Sequence, residues 1–155
     1  MLKLNQEKTE LIVITSNFRP RPAIPYMSVG DEQILPKSSA RNLGVIFDEC
    51  CNMVEHVKKI CKTSHYHLRK ISKIRKYLTE ETTEILVHAF FSSKLDCCNS
   101  LLYGLPKHMI SSLQSVQNMA AHIVTLTKKF DHITPVLIRL YWLPVHFGFF
   151  LKSYC

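Results

Sequence analysis

The fold of this chain is decided by residues 52–78, which read NMVEHVKKICKTSHYHLRKISKIRKYL. Small and apolar side chains recur in this stretch at steps of three and four, the spacing that places them on one face of an α-helix. They are Met53, Val57, Ile60, Cys61, Ser64, Leu68, Ile71, Ile74 and Leu78. Asn52 precedes them and is a favoured N-cap residue, so we expect a helix that begins at Met53.

Basic side chains occupy the opposite face of this predicted helix. At about 100° per residue, most of its cations point away from the apolar stripe. They are Lys58, Lys59, Lys62, Arg69, Lys70, Lys73 and Lys76, which we call the basic face. Arg75 alone falls near the apolar stripe, and Glu55 is the single acidic residue of the stretch.

This distribution of charge bears on function. The chain has a net charge of +8 and a pI near 9.3, and almost all of that net charge falls between residues 52 and 78. Solubilising surfaces usually mix both signs, whereas a one-sided basic face suits contact with a phosphate backbone. We therefore predict that the basic face binds nucleic acid, with an ordinary solvated surface as the alternative.

Short strands are expected before this helix. Apolar and β-branched runs predict them over 10–15, 26–29, 33–35 and 42–48. The pattern over 25–36 is ambiguous, and the middle two runs are compatible with a hairpin that turns at Gly30-Asp31. Gly44 interrupts the last strand, which suggests a bulge or a close approach of backbone.

Helices are expected after it. Thr79 is a good N-cap for a second helix that continues as far as Leu102, before Gly104 and Pro106 stop it. A third helix is predicted over 107–126, and a short fourth one capped by Thr134 ends near residue 140. The fold class is therefore α+β, mainly α: a small antiparallel β unit followed by a lobe of three to four helices.

Composition excludes several classes of protein. Hydrophobic residues make up 46% of the 155 positions and charged residues 21%, as in globular domains. No run reaches the roughly 18–20 apolar residues of a membrane span, and the N-terminus lacks the apolar core of a signal peptide. We expect an intracellular protein, nuclear or cytoplasmic and not secreted, without a membrane partner. Its six cysteines are expected to be thiols.

No local motif predicts an active site. The chain has no phosphate-binding glycine loop, and no Asp-Asp pair occurs on a strand turn, the arrangement expected where carboxylates hold two catalytic metals. His56, Cys61 and His65 are the best metal candidates, but no fourth ligand is evident, so we predict that they pack and that there is no metal site. Cys97 and Cys98 are interpreted as core residues rather than nucleophiles.

Seven blocks of the sequence resemble, in the same order, the C-terminal part of the reverse transcriptase of non-LTR (LINE-type) retrotransposons of the Jockey and chicken-repeat group. The blocks are 4–10 (LNQEKTE), 41–48 (RNLGVIFD), 65–71 (HYHLRKI), 95–106 (LDCCNSLLYGLP), 113–121 (LQSVQNMAA), 131–137 (DHITPVL) and 140–145 (LYWLPV). Together they cover about residues 2–146. Cys97 stands where the family usually has tyrosine.

This resemblance implies a division of the chain. Residues 1–49 would be the end of the palm and the primer-grip hairpin, residues 50–145 a thumb-like helical lobe, and residues 146–155 a divergent tail. The palm aspartates of the family, which bind Mg²⁺, would precede Leu2. We therefore expect a non-catalytic fragment of an RNA-directed DNA polymerase, without a cofactor and without enzymatic activity.

The resemblance also implies roles for particular residues. Lys8 would be the palm lysine near the departing pyrophosphate, and Gly44 would let backbone approach the primer end. The basic face would lie along the template–primer duplex, so the expected partner is an RNA–DNA or other duplex, bound weakly and in a salt-dependent way. The alternative is a small basic helical module that binds a protein partner of unknown identity.

Overall fold

The long helix predicted from residue 53 is present in a computed structural model as α1 (Val54–Ile74), and it continues as a 3₁₀ turn over Arg75–Tyr77. The Val54 N–H donates to Asn52 Oδ1 at 2.9 Å. The predicted N-cap needs correction: Met53 has φ +60°, so the helix begins one residue later, and Asn52 accepts the first helical N–H from one position before the N-cap.

The structure describes residues 8–16, 18, 20, 22–30, 32–97, 99–128 and 130–152, and the side chains of these except 99, 100 and 149–152. They belong to two units, Met1–His56 and Val57–Cys155, which divide in the first turn of α1. Among the described residues helices predominate and small strand pairs precede α1, so the mainly α, α+β fold class is confirmed.

Within the part of the first unit that the structure describes, the strands form three two-stranded sheets. The strands are β1 (Leu11–Ile12), β2 (Met27–Val29), β3 (Glu32–Ile34), β4 (Pro36–Lys37), β5 (Ser39–Asn42) and β6 (Val45–Asp48). β2 pairs with β3 and β5 with β6, both antiparallel, whereas β1 pairs with β4 in parallel. The predicted hairpin is confirmed as β2–β3, with Gly30 at φ +63° after β2; Asp31 lies outside the described residues.

The strand predicted over 42–48 is wrong in its first half. Asn42 ends β5 and pairs with Val45, so Leu43 and Gly44 form a two-residue hairpin turn with φ +47° and +92°. Both values are positive, as a type I′ turn requires, and glycine is favoured there. Gly44 is therefore neither a bulge nor a close approach, because a Cβ built on it would meet no atom within 4 Å.

The second unit is built around α4 (Lys107–Thr125), which contacts α2 (Glu80–Val87), α5 (Ile133–Arg139) and α6 (Val145–Lys152). Its core draws side chains from α1, α2, α4 and α5 and from the segments that directly follow α2 and α5. They are Leu68, Ile71, Val87, Phe91, Val116, Ala120, Ala121, Val124, Val136, Leu137 and Leu140. Helix α4 ends at Leu126, which has φ +55° and serves as a left-handed C-cap.

Three helix predictions need correction. Thr79 caps α2 as predicted, its side chain accepting the Thr82 N–H, but the helix does not reach Leu102. It passes through a π turn at His88–Ser92 into α3 (Ser93–Asp96) and ends there. Cys97 is therefore exposed and does not lie in the predicted core. Cys98 lies outside the described residues. Thr134 lies inside α5 and does not cap it. Helix α6 was not predicted, because the sequence after Pro144 lacks a polar face.

Candidate nucleic-acid interface

The basic face is fully formed on α1 and its terminal 3₁₀ turn. Lys58, Lys59, Lys62, Arg69, Lys70, Lys73 and Lys76 are all exposed. The opposite side of the helix is buried at Val57, Ile60, Leu68 and Ile71, as the apolar spacing predicts. Ile74 departs from the predicted stripe, since its side chain is largely exposed. The seven cations thus share one solvent-facing side of a single helix.

Two of these cations lie over aromatic rings. Lys70 Nζ is 4.6 Å from the ring centroid of Tyr66, and Lys76 Nζ is 4.7 Å from that of Tyr77. Both rings are themselves exposed. Cation–π attraction orients the ammonium groups, and exposed rings beside cations are the elements with which proteins stack bases and follow a backbone. Neither tyrosine was among the predicted contact residues, which were all cations.

His67 also belongs to α1, but its ring packs against another segment and is not part of the basic face. Its ring stacks on Phe90 with centroids 4.4 Å apart and planes 14° from parallel. Partial burial, followed by repulsion from Lys94 and Lys70, lowers the pKa of His67. His67 is therefore neutral at pH 7 and serves to pack α1 against the π turn.

Arg75 is the cation that the spacing placed near the apolar stripe, and it is buried with 7% of its surface exposed. Its guanidinium donates to three carbonyl oxygens: Nε to Ile123 at 2.9 Å, Nη2 to Val124 at 2.7 Å and Nη1 to Leu78 at 2.6 Å. Two of these carbonyls belong to the last turn of α4, where the negative end of the helix dipole favours a cation. Arg75 therefore fixes the end of the basic helix to α4.

A cleft of about 860 Å³ opens between α1, α4 and the segment that leads into α5; we call it the α1–α4 cleft. His65, Ser72 and Arg75 line it from the α1 side, and Ser115, Asn118 and His122 from α4. The cleft has no local signal in the sequence, since no single segment contains all of its walls.

The basic face borders this cleft along α1. Arg69 follows His65 by four residues and Lys76 follows Ser72 by four, and residues four apart are neighbours on a helix surface. A ligand on the basic face therefore lies beside the mouth of the cleft.

Lys8 and Gly44, the other predicted site residues, belong to the first unit. Lys8 is exposed, and Gly44 lies in the β5–β6 turn. The three metal candidates do not form a site: His56 is buried, and within the residues that the structure describes no three His, Cys, Asp or Glu side chains are grouped so as to hold a metal ion. Burial raises the pKa of the Cys61 thiol, which makes it a poorer metal ligand or nucleophile.

Among the described residues, no helix combines the length and the apolar character needed to cross a membrane. A comparison of the chain with protein-family models, with curated proteins and with solved structures finds no match.

Proposed function

We propose that this chain binds nucleic-acid duplexes through the basic face of α1, as the non-catalytic thumb part of a reverse transcriptase of the non-LTR retrotransposon type. The observation that carries the proposal is the exposure of all seven cations of the basic face on one side of a helix whose other side is buried. A phosphate backbone supplies the matching row of negative charges.

The spacing of the cations supports a duplex as the partner. The face runs from Lys58 to Lys76, and at about 1.5 Å of rise per residue it extends over roughly 27 Å. Double-stranded DNA carries one phosphate charge per ~1.7 Å of helix axis, so several phosphates can be contacted at once. Tyr66 and Tyr77 add exposed rings within the same face.

The proposed role is contact rather than catalysis. In the resembled family, the aspartates that bind Mg²⁺ precede the region that corresponds to residues 4–10. We therefore expect no primer-extension product from the 155-residue chain with Mg²⁺ or Mn²⁺. A product that persists after repurification would contradict this part of the proposal.

The binding proposal is tested by the salt dependence of duplex affinity. We expect similar affinities for RNA–DNA duplexes of unrelated sequence. For a B-form DNA duplex, the plot of log affinity against log salt should have a slope of about −0.9 for each phosphate that the chain neutralises. An affinity that is independent of salt would contradict the proposal.

A second candidate function is a protein-interaction module, and a specific observation favours it. Ile138, Tyr141 and Leu143 are all exposed near the end of α5. Exposed apolar side chains close together in the chain are typical of protein contacts. A stoichiometric protein complex that tolerates salt, together with an absence of duplex binding, would favour this function.

A further inference from the structure

We propose that the α1–α4 cleft holds one unpaired nucleotide of the same nucleic acid whose duplex lies on the basic face. This inference rests on the proposed function, and it assigns a second, distinct contact: the basic face receives the backbone of paired strands, while the cleft receives a base and its phosphate.

The size and walls of the cleft suit such a ligand. Its volume of about 860 Å³ falls within the roughly 300–1,000 Å³ of small-molecule sites. Ser72 and Ser115 supply hydroxyls from the two helices, and Asn118 supplies an amide whose Oδ1 already accepts from Gln114 Nε2 at 2.8 Å. Met119 and Ile123 add apolar surface. A base needs this combination of polar edges and apolar faces.

An aromatic ring stands at the rim of the cleft. Phe130 lines the cleft, yet 94% of its surface is exposed. Leu126, which is also exposed, lines the cleft as well and adds apolar surface. An exposed phenylalanine gains surface burial and stacking when a base lies against it.

Hydrogen-bond donors around the cleft suit a phosphate group. His65, His122 and His132 line the cleft, and an imidazole N–H can donate to a phosphate oxygen. Asp131 is the one carboxylate among the described lining residues, and its Oδ2 accepts the Lys128 N–H at 2.7 Å, which turns part of its charge toward the loop. Arg69 and Lys76 stand beside the α1 wall, so the strand's backbone can pass from the basic face to the cleft.

The test compares the full chain's affinity for a blunt RNA–DNA duplex with that for the same duplex carrying a short single-stranded overhang. We expect the overhang to strengthen binding about tenfold, the effect of one stacked base. Phe130→Ala should remove this gain and leave the affinity for the blunt duplex unchanged. Since Phe130 is almost fully exposed, the substitution does not disturb the core.

A second pair of variants keeps the test independent of stacking. Ser115→Glu places a carboxylate in the cleft wall and should abolish the gain from the overhang. Ser111→Glu adds the same charge one turn earlier on α4, at an exposed position that does not line the cleft, and should retain the gain.

The outcomes separate this inference from the proposed function. If the blunt duplex binds in a salt-dependent way and the overhang adds nothing, the cleft proposal is wrong while the proposed function stands. If the overhang gain depends on Phe130 and Ser115 but reversal of charge on the basic face leaves blunt-duplex binding intact, the cleft stands and the basic-face proposal fails. Loss of the gain in Ser111→Glu as well would also overturn the cleft proposal.

Discussion

The guanidinium of Arg75 donates to the main-chain oxygen of Val124 at 2.7 Å, and so joins the end of the basic helix to the end of α4 across 49 residues of sequence. The same side chain also reaches Ile123 and Leu78. One buried cation thus satisfies carbonyl groups that the ends of two helices leave open. These hydrogen bonds fix the position of the end of α1, which carries the basic face, relative to α4, which forms the other wall of the α1–α4 cleft.

Replacement of Arg75 should destabilise the helical unit. Arg75→Ala leaves the Ile123 and Val124 carbonyls without this donor, and we expect a loss of about 2–4 kcal/mol in the free energy of unfolding. Arg75→Lys should recover only part of it, because an ammonium group lacks the planar fork that reaches three acceptors. Urea denaturation measures the change.

Lys73→Ala is the matched control for Arg75. Lys73 is exposed on the same helix two residues earlier, so its removal should change stability by less than about 0.5 kcal/mol. Equal stabilities of the Arg75→Ala and Lys73→Ala variants would show that the buried guanidinium does not join the helices.

The core-facing side of α1 should tolerate no charge. Leu68 is 1% exposed within the core cluster, so Leu68→Asp should unfold the helical unit, because a carboxylate would lose its hydration there. Arg69→Asp, at the next position on the exposed side, should retain a native circular-dichroism spectrum. A native spectrum and melting temperature for Leu68→Asp would contradict the burial of this face.

The stability of the first unit should decrease at acidic pH because of His56. This ring is buried, and its Nδ1 accepts the Ile46 N–H at 3.4 Å. Burial lowers the pKa of His56 from its ordinary value of 6.5. The unfolded chain therefore takes up the proton more readily, so the stabilisation is complete above pH 6.5 and is lost as the pH falls below it toward the folded-state pKa.

Hydrogen exchange of the Ile46 amide, expressed as a protection factor, measures this effect. Protection should fall between pH 7 and pH 5 in the native chain, because an imidazolium cannot accept the N–H. In His56→Asn the side-chain oxygen can accept it without titrating, so the protection should not depend on pH. The same pH dependence in both proteins would exclude His56 as the cause.

The strand pairs should exchange faster than the helices. Each pair has only two strands of two to four residues, and isolated two-stranded pairs are marginally stable in water. We expect the amides of Leu113 and Val116, buried in α4, to exchange most slowly, and those of β2–β3 to be among the fastest. If the β-strand amides were the best protected, this account of stability would be wrong.

The sequence predicts elements whose signal is local, and it fails where partners come from a distance. The three-and-four spacing predicted α1 to within a few residues, and it even singled out Arg75 as lying off the basic face. It could not predict the carbonyl acceptors of Arg75, which lie 48 and 49 residues away.

Two further differences have the same kind of origin. The β5–β6 turn was missed because the left-handed conformation at its first position is usually adopted by Asn or Gly, and here it is adopted by the apolar Leu43. The α1–α4 cleft was missed because its walls come from α1, α4 and the segment before α5.

The central claim is tested most directly by the affinity for an RNA–DNA duplex, measured against salt for the native chain and for Lys62→Glu/Lys73→Glu. Both positions are exposed on the basic face, so the variant should keep its helix content. Lys107→Glu/Lys128→Glu, with the same change in net charge at exposed sites outside α1, is the control. We predict that the first variant binds more weakly, with a salt slope shallower by about two units, while the control stays close to the native chain. Equal affinities and equal slopes in all three proteins would contradict nucleic-acid binding by the basic face.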